Sequence, residues 1–293
     1  FSGGTTNFNA GTYSVTGTTQ INGGTVNFNA AASTNLLNLS SGIVGGSGTV
    51  TVNGLTTFSG GIMNGSGTLN ANGGATLNGG AKSLHNTRVL NLGGTSTWSA
   101  GSIDFSNTAS LVNTAGGTLT TTFDGSMLSF GSTSVFANAG TFTKSGGAGS
   151  TTISAGIAFN NTGTVNVSSG TLALSGGVTQ HSGSTITGGT WNVTNGAAIN
   201  ITTGSNITTI GSAASVTLDG AGSSFAKVTT ALNNNQGSFT LKNNRDLTTA
   251  GAYANSGTTR VEDSTTVMTI GTGGASAYNQ SGPSSVTILA GGA

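Results

Sequence analysis

The chain has no cysteine and a single proline, Pro283, among its 293 residues. Without cysteine there is neither a disulfide framework nor a thiolate metal site. With one proline, the corners of the fold fall to Gly, Asn and Ser, which tolerate left-handed backbone or bond their own main chain. Charge is almost as scarce: 4% of residues are charged, where about 25% is usual. That composition excludes an ordinary α/β enzyme. Seven Lys and Arg spread over the chain, with a net charge of +1, provide no electrostatic footprint for nucleic acid or an anionic bilayer. No run of apolar residues is long enough to cross a membrane, and no basic, apolar-cored leader opens the chain, so neither a membrane span nor a signal peptide is expected in this stretch. Because the first residue is Phe1, a mature fragment or a piece of a longer polypeptide is expected. Helical periodicity is also missing, since Gly, Thr, Ser and Asn are mediocre to poor helix formers and no apolar 3.6-residue period lasts three turns.

What is present is glycine, 52 residues of it, with a mean hydropathy of +0.07. Low net charge at that hydropathy argues against disorder, so the chain should fold as strand and turn. A five-residue phrase, Gly-[Thr/Ser]-apolar-x-apolar, recurs at Gly24, Gly48, Gly67, Gly163, Gly189 and Gly237, with looser copies at Gly117, Gly140 and Gly257. Successive starts lie 19 to 26 residues apart or at about twice that interval. Repetition at this period marks a solenoid. Inside each phrase apolar and polar residues alternate, as in a strand with one buried face. In "NNTGTVNVSSGTLALSGG" the phrase returns after seven residues, so three such sides fill one unit.

The expected fold is therefore all-β: a right-handed parallel β-helix (β-solenoid) of about 12 to 14 coils of roughly 19 to 26 residues, with three short strands per coil. Residues 1–293 are expected to form one solenoid domain without caps at either end, about 60 Å long if coils stack at the usual strand spacing. Val26 with Phe28, Val165 with Val167 and Leu172 with Leu174 are expected to point inward, joined by Phe142, Trp191 and Phe239. Lys144 falls on an inward position, so the strand is expected to end before it or its stem to snorkel outward. Both termini carry the strand phrase, and uncapped strand edges invite further chains. Self-association along the solenoid axis is the expected partnership. Between residues 72 and 116 the phrase fades.

At "NNTGTVNVSSGTLALSGG", "GGTWNVTNGAAINI" and "GAYANSGTTRVEDSTTVMTIGTGGASAYNQSG" the chain resembles the strand-repeat passenger regions of large secreted bacterial adhesins of the autotransporter and filamentous-haemagglutinin type. The resemblance lies in repeat texture over most of the chain. It implies an extracellular or cell-surface rod that displays or adheres, with glycans or other cell-surface molecules as partners.

Parallel β-helices also carry polysaccharide-degrading enzymes, so the acids need placing. Asp104 and Asp124 stand 20 residues apart, about one coil, and would stack as a carboxylate pair able to work on a glycosidic bond. The plainer reading makes each a corner or strand-end residue, and no cationic cluster surrounds them. A second group, Lys242, Arg245, Asp246, Arg260, Glu262 and Asp263, has offsets of 18 that would set opposite charges on adjacent coils, where exposed pairs mainly fix register. His85 and His181 lack metal-ligand spacing, and no cofactor is expected. Trp98 reads equally as a core residue or an exposed platform for a sugar.

The outward positions of the phrase give the candidate surface: Thr25 and Asn27, Thr49 and Thr51, Thr68 and Asn70, Thr141 and Thr143, Thr164 and Asn166, Thr190 and Asn192. If all coils align, one side carries two files of Thr and Asn, able to order water as on ice or to present hydroxyls and amides to glycans. The competing explanation is that Thr is simply the most convenient outward strand residue. An extracellular structural rod or fibre is thus the first reading, a ligand-recognition module the second and a polysaccharide-degrading enzyme the third.

Overall fold

Alternation decides the local structure. In Thr141–Lys144 and Thr164–Val167 the second and fourth side chains are buried and the first and third face outward, because a strand turns successive side chains to opposite sides. A five-residue side with one apolar face cannot bury it alone, so the chain turns and lays the next side against the same interior. The computed structural model, which describes residues 1–271, 278–281 and 286–289, is a parallel β-solenoid of about 13 coils with three short strands per coil. Pro283 and part of the carboxy-terminal strand phrase lie outside the described residues. Among the described residues the one helical turn is Ala226–Thr229.

Apart from the short antiparallel strand His181–Ser182, the strands pair in parallel with their equivalents in the neighbouring coils, which sorts them into three faces. Face A includes Val50–Val52, Thr68–Ala71, Val89–Leu92, Ser110–Asn113, Ser134–Asn138 and Ile157–Asn161. Face B includes Thr56–Phe58, Ala75–Leu77, Thr95–Trp98, Thr118–Thr121, Thr141–Lys144 and Thr164–Val167. It continues through the later parts of Thr185–Thr194 and Thr209–Asp219 to Ser238–Lys242, Thr258–Glu262 and Val286–Leu289. Face C includes Gly61–Met63, Lys82–His85, Ile103–Ser106, Ser126–Phe130, Ser150–Ile153, Thr171–Leu174 and Ala198–Ile201. Near the amino end two long strands, Tyr13–Phe28 and Ala32–Gly45, run through their corners unbroken. Coil length, read between paired residues, varies from 18 (Thr19 to Leu37) to 28 (Thr258 to Val286).

The interior is one continuous apolar stack from Ile21 to Tyr253. Val26, Phe28, Phe142, Val165, Val167, Leu172, Leu174, Trp191 and Phe239 all lie in it, each at most 1% exposed. Aromatic rings hand over from coil to coil: Phe136, Phe142 and Phe159 interlock at centroid distances of 5.2 to 6.4 Å, and Phe159, Trp191 and Phe225 continue the column at 6.1 and 5.6 Å. Such offset and edge-on packing is the favoured geometry for rings. The interior also holds a polar seam. Asn113 Nδ2 donates to Asn138 Oδ1 at 2.7 Å and Asn138 Nδ2 to Asn161 Oδ1 at 2.8 Å. The same Asn138 amide donates to the Thr164 carbonyl at 2.9 Å, tying the turn out of face A to the start of face B one coil on. Asn235 and Asn255 repeat the device at 2.9 Å.

Lys144 departs from expectation. Its strand does not end early and its stem does not reach solvent; the side chain is fully buried between Thr121 and Val167 in the face B column. The ammonium bends to the corner, where it meets Asp124 Oδ1 at 2.9 Å and the Gly146 carbonyl at 2.8 Å. A buried charge is tolerated only when paired and hydrogen-bonded, and Asp124 supplies the pairing.

At Gly24 and Gly189 the glycine that opens the phrase has a positive φ, of 63° and 77°; at Gly117, Gly140 and Gly163 it is required by stacking rather than by backbone conformation. A Cβ on Gly163 would overlap the carbonyl oxygen of Gly140, whose own Cβ would overlap that of Gly117. Replacing Gly163 by Ala is expected to destabilise the protein by about 1 to 3 kcal/mol, the usual cost of overpacking. Gly17→Ala, where nothing lies within 4 Å, should stay within about 0.5 kcal/mol of wild type. Urea unfolding of the two variants checks this, and equal midpoints would refute the stacking explanation.

Candidate functional site

The twelve residues expected to form one ladder are divided among all three faces. Thr25 and Asn27 lie on face C, where Asn27 Nδ2 donates to Asn7 Oδ1 at 2.7 Å. Thr51, Thr68 and Asn70 belong to face A and Thr49 precedes its strand there, with Asn91 Nδ2 donating to Asn70 Oδ1 at 2.8 Å. Only Thr141, Thr143, Thr164, Asn166, Thr190 and Asn192 stand together, on face B. The expectation of a single file fails because phrases opened by similar glycines sit on different sides of the coil.

Face B, however, carries a longer grid than those six residues. Thr95, Thr118, Thr141, Thr164, Thr190, Ser215, Ser238 and Thr258 are partners in consecutive coils and form one rank. Two residues on, Thr97, Thr120, Thr143, Asn166, Asn192, Thr217, Thr240 and Arg260 form a second. Ser99, Thr122, Ser145, Ser168 and Thr194 follow the same strands as a flanking third. The registers contain no shift within these stretches. Asn192 Nδ2 donates to Asn166 Oδ1 at 2.9 Å, keeping the amides in line. The signal that would have revealed the grid is the recurrence of Thr-x-Thr at a constant 23-residue step from Thr95 to Thr141.

The other faces lack this pattern in the same coils. Outward on face A are Val89 and Asn91, Ser110 and Val112, Val135 and Ala137, Ala158 and Asn160. Outward on face C are Asp104 and Ser106, then Leu128 and Phe130, the latter 57% exposed. A general preference for Thr at outward strand positions would act on every face alike. The unbroken hydroxyl rank is a property of face B.

Charge returns at the far end of this face. Asp219, Lys242 and Glu262 succeed Thr194 in register, with Lys242 to Asp219 at 3.4 Å and Arg260 to Glu262 at 3.8 Å. Opposite charges do lie on adjacent coils, but the step is 20 residues rather than 18, so Glu262 rather than Arg260 is level with Lys242, and Asp219 joins the group. Asp263 accepts from Thr265 N at 2.9 Å and from the Thr265 and Thr266 hydroxyls at 2.7 and 2.9 Å, bonds that hold its carboxyl far below the ordinary range. Asp246 accepts from Val267 N at 2.7 Å, and Arg245 donates to the Ser223 carbonyl. These are corner fasteners.

Asp104 and Asp124 do not stack. The partner of Asp104 in the next coil is Leu128, which leaves Asp124 four residues short of that rank, in the corner with Lys144. The hydrogen bond from Lys144, then that from Gly149 N, holds the Asp124 carboxyl below the ordinary range. Trp98 is buried, its Nε1 donating to the Gly101 carbonyl at 2.8 Å, so it offers no exposed platform. His85 closes a face C strand opposite Ser106. His181 opens a small antiparallel hairpin with Thr185–Thr194, and burial followed by nearby Lys227 lowers its pKa. Beside the hairpin is an open cavity of about 350 Å³ lined by Asn161, Thr162, Gln180, Thr187, Gly188, Gly189 and Ala213, where Gln180 Oε1 takes up Asn161 N at 2.8 Å and its Nε2 donates to Asn160 Oδ1 at 2.6 Å. Among the described residues no group of three His, Cys, Asp or Glu is placed to hold a metal ion.

Two cations missed by sequence reasoning fill the region where the phrase fades. Lys82 is fully buried and donates to the carbonyls of Asn78, Gly80 and Ala100 at 3.1, 2.7 and 2.7 Å. Arg88, also buried, reaches the carbonyls of Gly46 and Asn64 at 3.4 and 3.5 Å. Compared with protein-family models, curated proteins and solved structures, the chain matches none.

Two expectations follow from the buried cations. Burial lowers the Lys82 pKa to about 8, against a smaller opposing pull from Asp104. Between about 8 and the unfolded lysine value of 10.5 the unfolded chain holds the extra proton, so this group makes stability rise with pH across that window. Thermal melts from pH 7.5 to 10 should show the rise in wild type and not in Lys82→Met; parallel curves would refute it. At the Lys144 corner, Asp124→Asn should lower the melting temperature more than Lys144→Met, since stranding a buried charge is worse than removing it. The Asp124 contribution is present above the ordinary carboxylate range and is lost as pH falls through its lowered folded value, so the wild-type advantage over Asp124→Asn should vanish in strong acid.

Proposed function

We propose that the chain is an extracellular structural rod segment that holds or displays its faces at a distance from a cell surface and takes part in adhesion. The observation that carries this reading is the unbroken parallel pairing of face B from the first coils to Val286–Leu289, which converts nearly the whole chain into axial length, about 60 Å at the usual strand spacing. Face B is also a grid of uncharged polar side chains over most of that length, a texture in line with the adhesin resemblance. Enzymatic action on polysaccharide has less support, because Asp104 and Asp124 occupy different ranks.

The rod reading includes axial association. Ser2–Phe8 pairs on one side with Tyr13–Phe28, and around it Phe1, Phe8, Tyr13 and Phe28 form a ring cluster with centroid distances of 4.8 to 6.2 Å. An additional coil, from a neighbouring stretch of polypeptide or a second copy, would continue the ladder and cover Phe1 and the half-buried rings of Phe8 and Tyr13. Electron microscopy of the purified chain at rising concentration should show thin rods lengthening in multiples of one unit, and Phe8→Lys should shorten them. Round particles would end the rod reading, and single rods indifferent to concentration would end the axial association.

A further inference from the structure

We infer that face B is an ice-binding surface, its ligand the two-dimensional oxygen lattice of ice. The inference goes beyond the rod reading and does not require axial association.

Three observations support it. First, from Thr95 to Thr194 every outward position in the three ranks is Thr, Ser or Asn, and the ionisable outward side chains Asp219, Lys242, Arg260 and Glu262 begin only where that stretch ends. A charged group organises its own hydration shell and breaks a lattice of neutral waters; this stretch leaves the lattice intact. Second, the array repeats in two directions. Coils are about 4.8 Å apart and outward residues along a strand about 6.6 Å apart, and no register shift interrupts the series between Thr95 and Thr240. The coil spacing is close to the repeat of like oxygens within a layer of ice, so waters bound to successive hydroxyls would fall on lattice sites. Third, each threonine pairs a hydroxyl with a methyl, so the surface anchors waters by hydrogen bonds while its apolar patches favour their ordered arrangement.

A saccharide is a poorer fit. Sugar sites place polar groups around an apolar or aromatic floor in a concavity, whereas both tryptophans, Trp98 and Trp191, are buried inside the solenoid. A grid without an aromatic platform matches a partner that is itself a lattice.

Adsorbed rods would pin an ice front and stop small crystals from merging. The test is thermal hysteresis and ice recrystallisation of the intact chain, with Thr141→Tyr and Thr143→Tyr on the grid and Ala137→Tyr on face A as a control in the neighbouring strand. Circular dichroism confirms that each variant folds, and small-angle scattering reports rod dimensions on the same samples. The expected result is faceted ice growth with a freezing gap for wild type and Ala137→Tyr, and loss of both for the two grid variants at unchanged rod dimensions. Ice growing as in buffer with a wild-type rod present, or grid variants that keep full activity, would overturn the inference while leaving the rod standing. Sedimentation with insoluble cellulose or chitin through face B, with ice unaffected, would overturn it in favour of a glycan.

Discussion

Everything in this molecule depends on coil-to-coil register. Each backbone strand exchanges hydrogen bonds with the coil before and with the coil after, donating and accepting on both sides, so a residue's neighbours are fixed by its position in the coil and not by its place in the chain. The side-chain period of two means that a one-residue slip would exchange the inner and outer faces of a strand. The buried amides of Asn113, Asn138 and Asn161 guard against that slip, since each donates to the next in the series or across to the following side. A displaced coil would leave buried amides unpaired, a heavier penalty than the loss of an apolar contact.

Register also explains the composition. A narrow interior needs only two inward side chains per side, so apolar content stays modest. Glycines are needed where one corner rests on another, as at Gly117, Gly140 and Gly163. Charge is nearly absent from the shaft, and two of the cations inside it are well provided for: Lys144 receives Asp124, and Lys82 donates to three carbonyls, whereas Arg88 makes two long contacts and its Nε and Nη2 are buried without a partner.

Much of the fold was legible in the sequence because alternation and repetition are local signals. Val165, Val167, Leu172 and Leu174 announce their orientation by spacing alone. Less legible was which side of the coil a given phrase occupies. The phrase at Gly48 lies on face A and its near twin at Gly163 on face B, since the number of residues spent in the intervening corners decides the side and corner lengths vary. The candidate surface was therefore assembled from three faces, while Thr95, Thr118 and Thr217 were overlooked. The buried cations were illegible for a related reason. Lys82 finds carbonyls in its own coil and the next, and Arg88 in the coils before it, arrangements no linear pattern records.

The corners absorb every change in coil length, and the antiparallel hairpin begun by His181 is one of these excursions. Above and below it the stack resumes: Phe159 still bridges to Val178, and Thr185–Thr194 still meets Thr209–Asp219. A solenoid of this kind separates two roles that globular domains combine. Its sides carry a pattern locked to the shaft, while its vertices act as sockets in which loops can lengthen, shorten or be replaced, each held at a height set by its coil and pointing in a direction set by its vertex.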